Sequence, residues 1–137
     1  MNIRYEVNAP ITAEQFVDLL KRSTLSERRP VEDMRCMAGM VENSNLMVTA
    51  WDGPRLVGIA RSMTDFHYAC YLSDLAVDLE YQRRGIGREL QRITQRQLGE
   101  RCKLILVAAP AADAYYGQIG FTNNPRCWVL DRDEAIG

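Results

Sequence analysis

The chain is expected to fold as a mixed, mostly antiparallel central sheet flanked by helices, an α/β (α+β) architecture in a single domain spanning 1–137. Three features carry that expectation. Two apolar alternating runs close over Asp52-Gly53-Pro54 as a hairpin. A strand, a polar loop, an amphipathic helix and a second apolar strand follow as one parallel crossover. Amphipathic helical segments also precede the hairpin.

Element by element, Ile3, Tyr5 and Val7 alternate with polar residues and predict a first strand. Thr12 followed three positions later by Gln15 has capping-box spacing, and Phe16, Leu19 and Leu20 then share one helical face. Pro30 marks a first turn for a second helix carrying Met34, Met37, Met40 and Val41 and ending near Asn43. Leu46–Trp51 and Arg55–Arg61 form the hairpin strands, and Tyr68–Val77 continues the sheet. Ile86, Leu90, Ile93 and Leu98 define the crossover helix, closed at Gly99. Lys103–Ala108 reads as a buried parallel strand, Ala112–Ile119 as a short helix stopped by Gly120, and Cys127–Leu130 as a last strand.

Composition narrows the function classes. Eighteen acidic against seventeen basic residues leave a net charge of −1, and 47% of the chain is apolar, which argues against disorder and against a polybasic nucleic-acid binder. Arg4 and Glu6 stand where a signal peptide needs an apolar core, and Leu104–Ala112 is too short to span a bilayer. Cys36, Cys70, Cys102 and Cys127 form no C-x-x-C pair, so they are expected to be free, mostly buried thiols in a reducing cytoplasm, with no metal site.

The segment Leu75-Ala-Val-Asp-Leu-Glu-Tyr-Gln-Arg-Arg-Gly-Ile-Gly-Arg88 concentrates the chemistry. A strand enters a loop whose glycines, Gly85 and Gly87, open a helix, so unobstructed amides and a helix N-terminus converge and call for an anion. Arg83, Arg84 and Arg88 reinforce the sign. A Walker loop is absent, and Leu90 stands where a dinucleotide fingerprint needs a third glycine, so nucleoside triphosphates and NAD are excluded. Without an anion, the glycines would only make a tight turn. The row Arg84, Arg88, Arg92, Arg96 reads as a solvated helix face rather than a nucleic-acid stripe, and the Met34-Met37-Met40 row as core rather than pocket lining.

Gln82-Arg-Arg-Gly85-Ile-Gly87 resembles the Q/R-x-x-G-x-G/A signature of the GNAT superfamily of acyl-CoA-dependent N-acetyltransferases, and Tyr116-Gly-Gln-Ile-Gly120-Phe121 resembles that family's Y-x-x-x-G-F element. The two are correctly ordered, with an apolar strand between them. The resemblance implies acetyl-CoA as co-substrate. Its diphosphate would lie on the amides of Arg83, Arg84, Gly85, Ile86, Gly87 and Arg88 beside Gln82, and its pantetheine arm along Leu75, Ala76 and Val77. It also implies that Tyr116 is the general acid. Ala109 departs from the family pattern, which often has Asn seven residues before that Tyr, and so removes one side-chain contact to the cofactor.

The expected reaction is direct acetyl transfer to a primary amine, that of a small molecule, in a ternary complex. A protein or peptide N-acetyltransferase and a non-catalytic acyl-CoA-binding module are the alternatives. An amine with a pKa near 10.4 is unprotonated in about one molecule per few thousand at pH 7, so a proton must leave first. Asp74, His67, Glu32 and Asp33 are the candidate bases, with Asp74 turned away from Leu75 by strand alternation; a plain hydrogen-bonding role is its alternative. Tyr115 is Tyr116's rival and reads as packing. No nucleic acid or membrane partner is expected, and a homodimer remains open.

Overall fold

The structure is a computed structural model describing residues 2–137. It comprises two compact units, one ending at Val107 and one running from Ala108 to Gly137.

The first unit carries a five-stranded sheet in the order β1 (Ile3–Val7), β2 (Leu46–Asp52), β3 (Arg55–Thr64), β4 (Ala69–Val77), β5 (Lys103–Ile105). All neighbours are antiparallel except β4 and β5, the crossover pair. On one face lie α1 (Ala13–Arg22) and α2 (Met34–Glu42), whose Phe16, Leu19, Leu20 and Met37 pack with Met47, Trp51, Ile59 and Ala76. On the other, α3 (Ile86–Arg96) packs Ile86 and Leu90 on Val48, Ala50, Val57, Ala60 and Leu72. Gly58 permits that approach, since a Cβ there would stand 3.1 Å from Leu90 and 3.2 Å from Ile86.

The helix starts follow local chemistry. Thr12 and Gln15 form the expected reciprocal cap of α1, with bonds of 3.0 and 2.8 Å. The second helix starts later than Pro30 implies. The Asp33 carboxylate accepts from the Cys36 N–H at 3.0 Å and caps it, while the Pro30 carbonyl accepts from the Asp33 N–H in a preceding turn. Between α1 and α2 lies a 3-10 turn, Leu25–Arg28.

A bulge interrupts β4. Arg61 pairs with Asp74 but the next residue, Ser62, pairs with Leu72, so Ser73 is the extra residue. The bulge reverses the alternation: Leu72 faces α3, whereas Asp74 and Ala76 face α1 and α2, and Leu75 and Val77 pack toward α3. On the other side of β4, pairing with β5 covers only Ala69–Tyr71 against Lys103–Ile105. From Leu72 to Val77 that edge of β4 has no partner strand among the described residues.

Two expectations about strands are corrected. The strand expected over Lys103–Ala108 ends at Ile105, and Ile105 is exposed, because β5 is an edge strand whose ladder stops where the β4 bulge begins. Cys127–Leu130 is not a strand: it joins no hydrogen-bonded ladder, which extended backbone requires, and Trp128 and Val129 are exposed. Nor are the cysteines mostly buried. All four are free thiols, but only Cys70 is buried; Cys36 sits on the open first turn of α2 and Cys127 in the strandless segment.

The second unit holds a 3-10 turn, Pro110–Ala112, and α4 (Asp113–Gln118). The Tyr116 carbonyl accepts from Phe121 N–H at 3.0 Å, with Gly120 at φ +107°, which folds the Phe121 ring edge-on to Tyr116 at 5.5 Å.

Candidate active site

The loop between β4 and α3 is built from its two ends. At the strand end, buried Asp78 accepts from Arg22, from Arg55 at 3.1 Å and from the Glu80 N–H at 2.9 Å. Burial alone would raise its carboxyl pKa, but the Glu80 amide and the Arg22 and Arg55 guanidiniums outweigh it and hold the group below the ordinary carboxylate range. A 3-10 turn, Leu79–Tyr81, comes next. The Tyr81 hydroxyl donates to Asp52 at 2.6 Å, and the Arg55 and Arg84 guanidiniums lie over its ring at 5.8 and 5.4 Å.

The turn itself alternates in hand. Arg83 has φ +64° and Gly85 φ +78°, with Arg84 between them on the ordinary side. Such alternation aims successive N–H groups into one concavity, and a left-handed non-glycine residue is costly enough to mark the conformation as imposed. Gly85 is the N-cap of α3 and offers no side chain to the helix's first amides. A Cβ on Gly85 would meet nothing within 4 Å, so the space above those amides is open. Arg83, Arg84 and Arg88 are exposed around it. Such a cradle can hold an anion.

Next to the cradle lies the unpaired edge of β4. Asp78 N–H donates to Val57 on β3, so alternation turns the peptide groups of Val77 and Leu75 outward to the open edge and those of Ala76 toward β3. The Gln82 side-chain amide donates to the Val77 carbonyl at 3.1 Å, tying the loop to the strand end. The cradle and the edge are thus continuous, and together they fit an extended ligand with an anionic end.

Asp74 lies on the opposite face from Leu75, as alternation predicts, but it is fully buried. Its two oxygens accept from Arg29 Nε at 2.5 Å and from Arg61 Nε. Arg61 is itself buried and donates further to Ser44 Oγ at 2.8 Å, the Met40 carbonyl at 3.2 Å and Ser73 Oγ at 3.0 Å. Arg29 also donates to the Ser73 carbonyl at 2.8 Å. The other candidate bases are dispersed. His67 is exposed in the β3–β4 turn, Glu32 is exposed, and Asp33 is engaged as the α2 cap.

Sequence reasoning missed Arg22, Arg29, Arg55 and Arg61, which hold the two buried aspartates. Arg61 carried a signal, a charge at the end of an apolar strand facing Asp74 on the next one; Arg29 carried none, since its partner is 45 residues away. In the second unit, burial raises the Tyr116 phenol above its ordinary pKa of 10, with a smaller contribution from Tyr115, whose ring lies edge-on at 5.2 Å.

The site thus lies on a sheet covered by helices on both faces, where the crossover strands part beside a glycine-opened helix start. Comparison with known proteins identifies the family. The profile of the acetyltransferase (GNAT) domain matches residues 6–126, and the chain belongs to the GNAT acetyltransferase family. An uncharacterized ycf52-like N-acetyltransferase of Prochlorococcus marinus is 30% identical over 116 residues. That match takes in 80% of this chain but 63% of the relative's length. Among solved structures, a GNAT-family acetyltransferase from Streptococcus pneumoniae superposes with a TM-score of 0.77 at 18% identity, covering 96% of this chain and 100% of the other. An aminoglycoside N-acetyltransferase in complex with CoA gives 0.71 at 14% identity, covering 96% and 95%. These two likenesses are of fold. Among the described residues no helix is long and apolar enough to cross a membrane.

Proposed function

We propose that the chain is a single-domain, acetyl-CoA-dependent N-acetyltransferase that acetylates the primary amine of a small molecule by direct attack in a ternary complex. The observation that carries this reading is the continuity of the alternating-hand cradle with the open edge of β4. When bound, acetyl-CoA supplies an acetyl thioester. The amides from Arg83 to Arg88 bind its diphosphate, with Arg83, Arg84 and Arg88 adding charge. Leu75 and Val77 pair with the pantetheine arm as with an added strand, and Ala76 holds the register through β3. A backbone N–H near Val77 polarises the carbonyl under attack.

The neutral amine nitrogen forms the new C–N bond as the C–S bond breaks and sheds one proton to solvent, while the departing thiolate takes up one. Tyr116 donates the thiolate's proton from its hydroxyl and is reprotonated from solvent. Its raised pKa suits the task, because the phenol stays protonated across neutral pH. A thiolate with a pKa near 8.5 needs only modest help to leave. Asp74 enters as a positioning residue, since guanidiniums already take both its oxygens.

The test is calorimetric titration of acetyl-CoA into wild type and into a Gly85→Val, Gly87→Val double variant. Valine is strained at the φ of +78° that Gly85 adopts, and both substitutions add bulk at the start of α3. Affinity should fall by about two orders of magnitude or more, which is the worth of a few charge-assisted hydrogen bonds. Undiminished affinity in a folded variant refutes the reading. A thiol-release assay over amino acids, arylalkylamines, polyamines, aminosugars and short peptides then separates small-molecule from peptide acceptors and from a module that binds without turnover.

A further inference from the structure

The charges buried around Asp74 do not balance. Asp74 brings one carboxylate, Arg29 and Arg61 bring two guanidiniums, and the cluster keeps one positive charge in excess. Arg61 is enclosed, with its N–H groups spread over Asp74, Ser44, Ser73 and Met40. Arg29 is different. Its side chain is 23% exposed, and the bonds to Asp74, Ser73 and Arg28 engage one N–H on each of its three nitrogens, so a guanidinium with five donors retains two. The carboxylates between α1 and α2, Glu27, Glu32 and Asp33, are exposed, and that of Asp33 caps α2. Arg28 in the same segment and Arg35 on α2 are also exposed.

The excess charge lies at the opening of the sheet. Arg29 is bonded to the bulge residue Ser73, at the point where β4 leaves β5. The same face of the sheet also presents an apolar strip. Tyr71 pairs directly with Met63, and the Met63 sulfur lies 3.5 Å from Arg61 Nη1, so Tyr71 shares the face of Arg61 and Asp74. Ile105 is in register with Tyr71 across the parallel pair. Both are exposed. Tyr71 is two residues from Ser73, about 7 Å along the strand.

We propose that Arg29 is the acceptor-recognition residue of this enzyme, and that the acceptor is an amine carrying a carboxylate and an apolar side chain, as an aromatic amino acid does. The proposal rests on the acetyl-transfer reading and specifies its substrate class. The carboxylate takes the remaining N–H groups of Arg29 and neutralises the cluster, the side chain lies on Tyr71 and Ile105, and the amine is left toward the parted strands.

The test uses a pair of reaction products that differ only in the carboxylate, N-acetyl-L-phenylalanine and N-acetyl-2-phenylethylamine. Each is titrated calorimetrically into the CoA-loaded full chain, wild type, Arg29→Gln and Arg29→Lys; thiol release is measured with the two parent amines. Wild type should bind the carboxylate member at least tenfold tighter and show the same preference in kcat/KM. Arg29→Gln should bring the two within about twofold while CoA affinity is kept, and Arg29→Lys should retain part of the preference. Equal binding of the pair by wild type, binding of neither, or a preference that survives Arg29→Gln overturns the inference. Those results leave the acetyl-transfer reading standing as long as CoA binds; failure of CoA itself to bind overturns both.

Discussion

Asp74→Asn tests whether the carboxylate between Arg29 and Arg61 is an anchor or a base. The substitution keeps the shape of the side chain and removes its charge, leaving two guanidiniums on one neutral amide. Arg61 suffers most, because its side chain is 5% exposed and water cannot replace the lost carboxylate. Removing one partner of a buried ion pair costs about 3–5 kcal/mol. The Arg29 arm, 23% exposed, adds little to this because solvent screens it, so about 3–4 kcal/mol is expected. With a urea m-value of about 2 kcal/mol/M, the unfolding midpoint should fall by about 1.5–2 M. Tryptophan fluorescence is a suitable readout: Trp51 is buried in the α1-side core, whereas Trp128 is exposed and changes little on unfolding. An Arg61→Met, Asp74→Asn double variant should recover a large part of the loss, because it removes the stranded charge as well. If the midpoint moves by less than about 0.5 M while kcat collapses about a thousandfold, Asp74 is a base and the anchor argument is wrong.

Two further outcomes rest on named groups. Tyr116→Phe should lower kcat about a hundredfold with little change in KM for acetyl-CoA, measured by thiol release; unchanged kcat removes Tyr116 from proton transfer. Asp65 accepts the N–H groups of Tyr68, Ala69 and His67 in the β3–β4 turn, which lower its pKa from 3.8 to about 2. Because its folded-state pKa is depressed, the stabilisation is complete above about pH 4 and is lost as pH falls through about 2. A carboxyl NMR titration giving Asp65 a midpoint near 4 contradicts this.

The parts of the fold legible in the sequence are those set by local chemistry. The Thr12–Gln15 cap, the hairpin over Gly53 and the glycine-opened helix at Gly85 are each specified within a few residues, and each stands where expected. The parts that were not legible depend on partners distant in the chain. The bulge at Ser73 leaves no mark in the apolar pattern, since Leu72, Asp74 and Ala76 all become buried, though on two different faces. The β5 ladder ends at Tyr71 and Ile105, two residues before that bulge. Pro30 and Asp33 are both valid helix-start signals; Asp33 prevails because its side chain satisfies an orphan amide, which proline cannot do. The candidate site was legible in the same proportion. The loop from Gln82 to Arg88 is local and was readable, whereas the arginines around Asp74 come from the α1–α2 linker and from β3.

The two buried aspartates flank the Leu75–Val77 part of the open edge of β4, and that placement has a mechanical reading. An edge with unpaired peptide groups tends to close onto any neighbouring strand, and β5 lies alongside up to Ile105. To keep the strands apart, β4 must be held from its other side and at both ends. Asp78 does this at the loop end, drawing in Arg22 from α1 and Arg55 from β3 while its N–H bonds Val57. Asp74 does it at the bulge, drawing in Arg61 from β3 and Arg29 from the linker. Apolar packing is non-directional. Charge-assisted hydrogen bonds are directional, and a slip would strand a guanidinium in the core. Between these two clamps lie the Leu75 peptide groups and the Val77 N–H that the proposed chemistry requires to be available, while Gln82 holds the Val77 carbonyl.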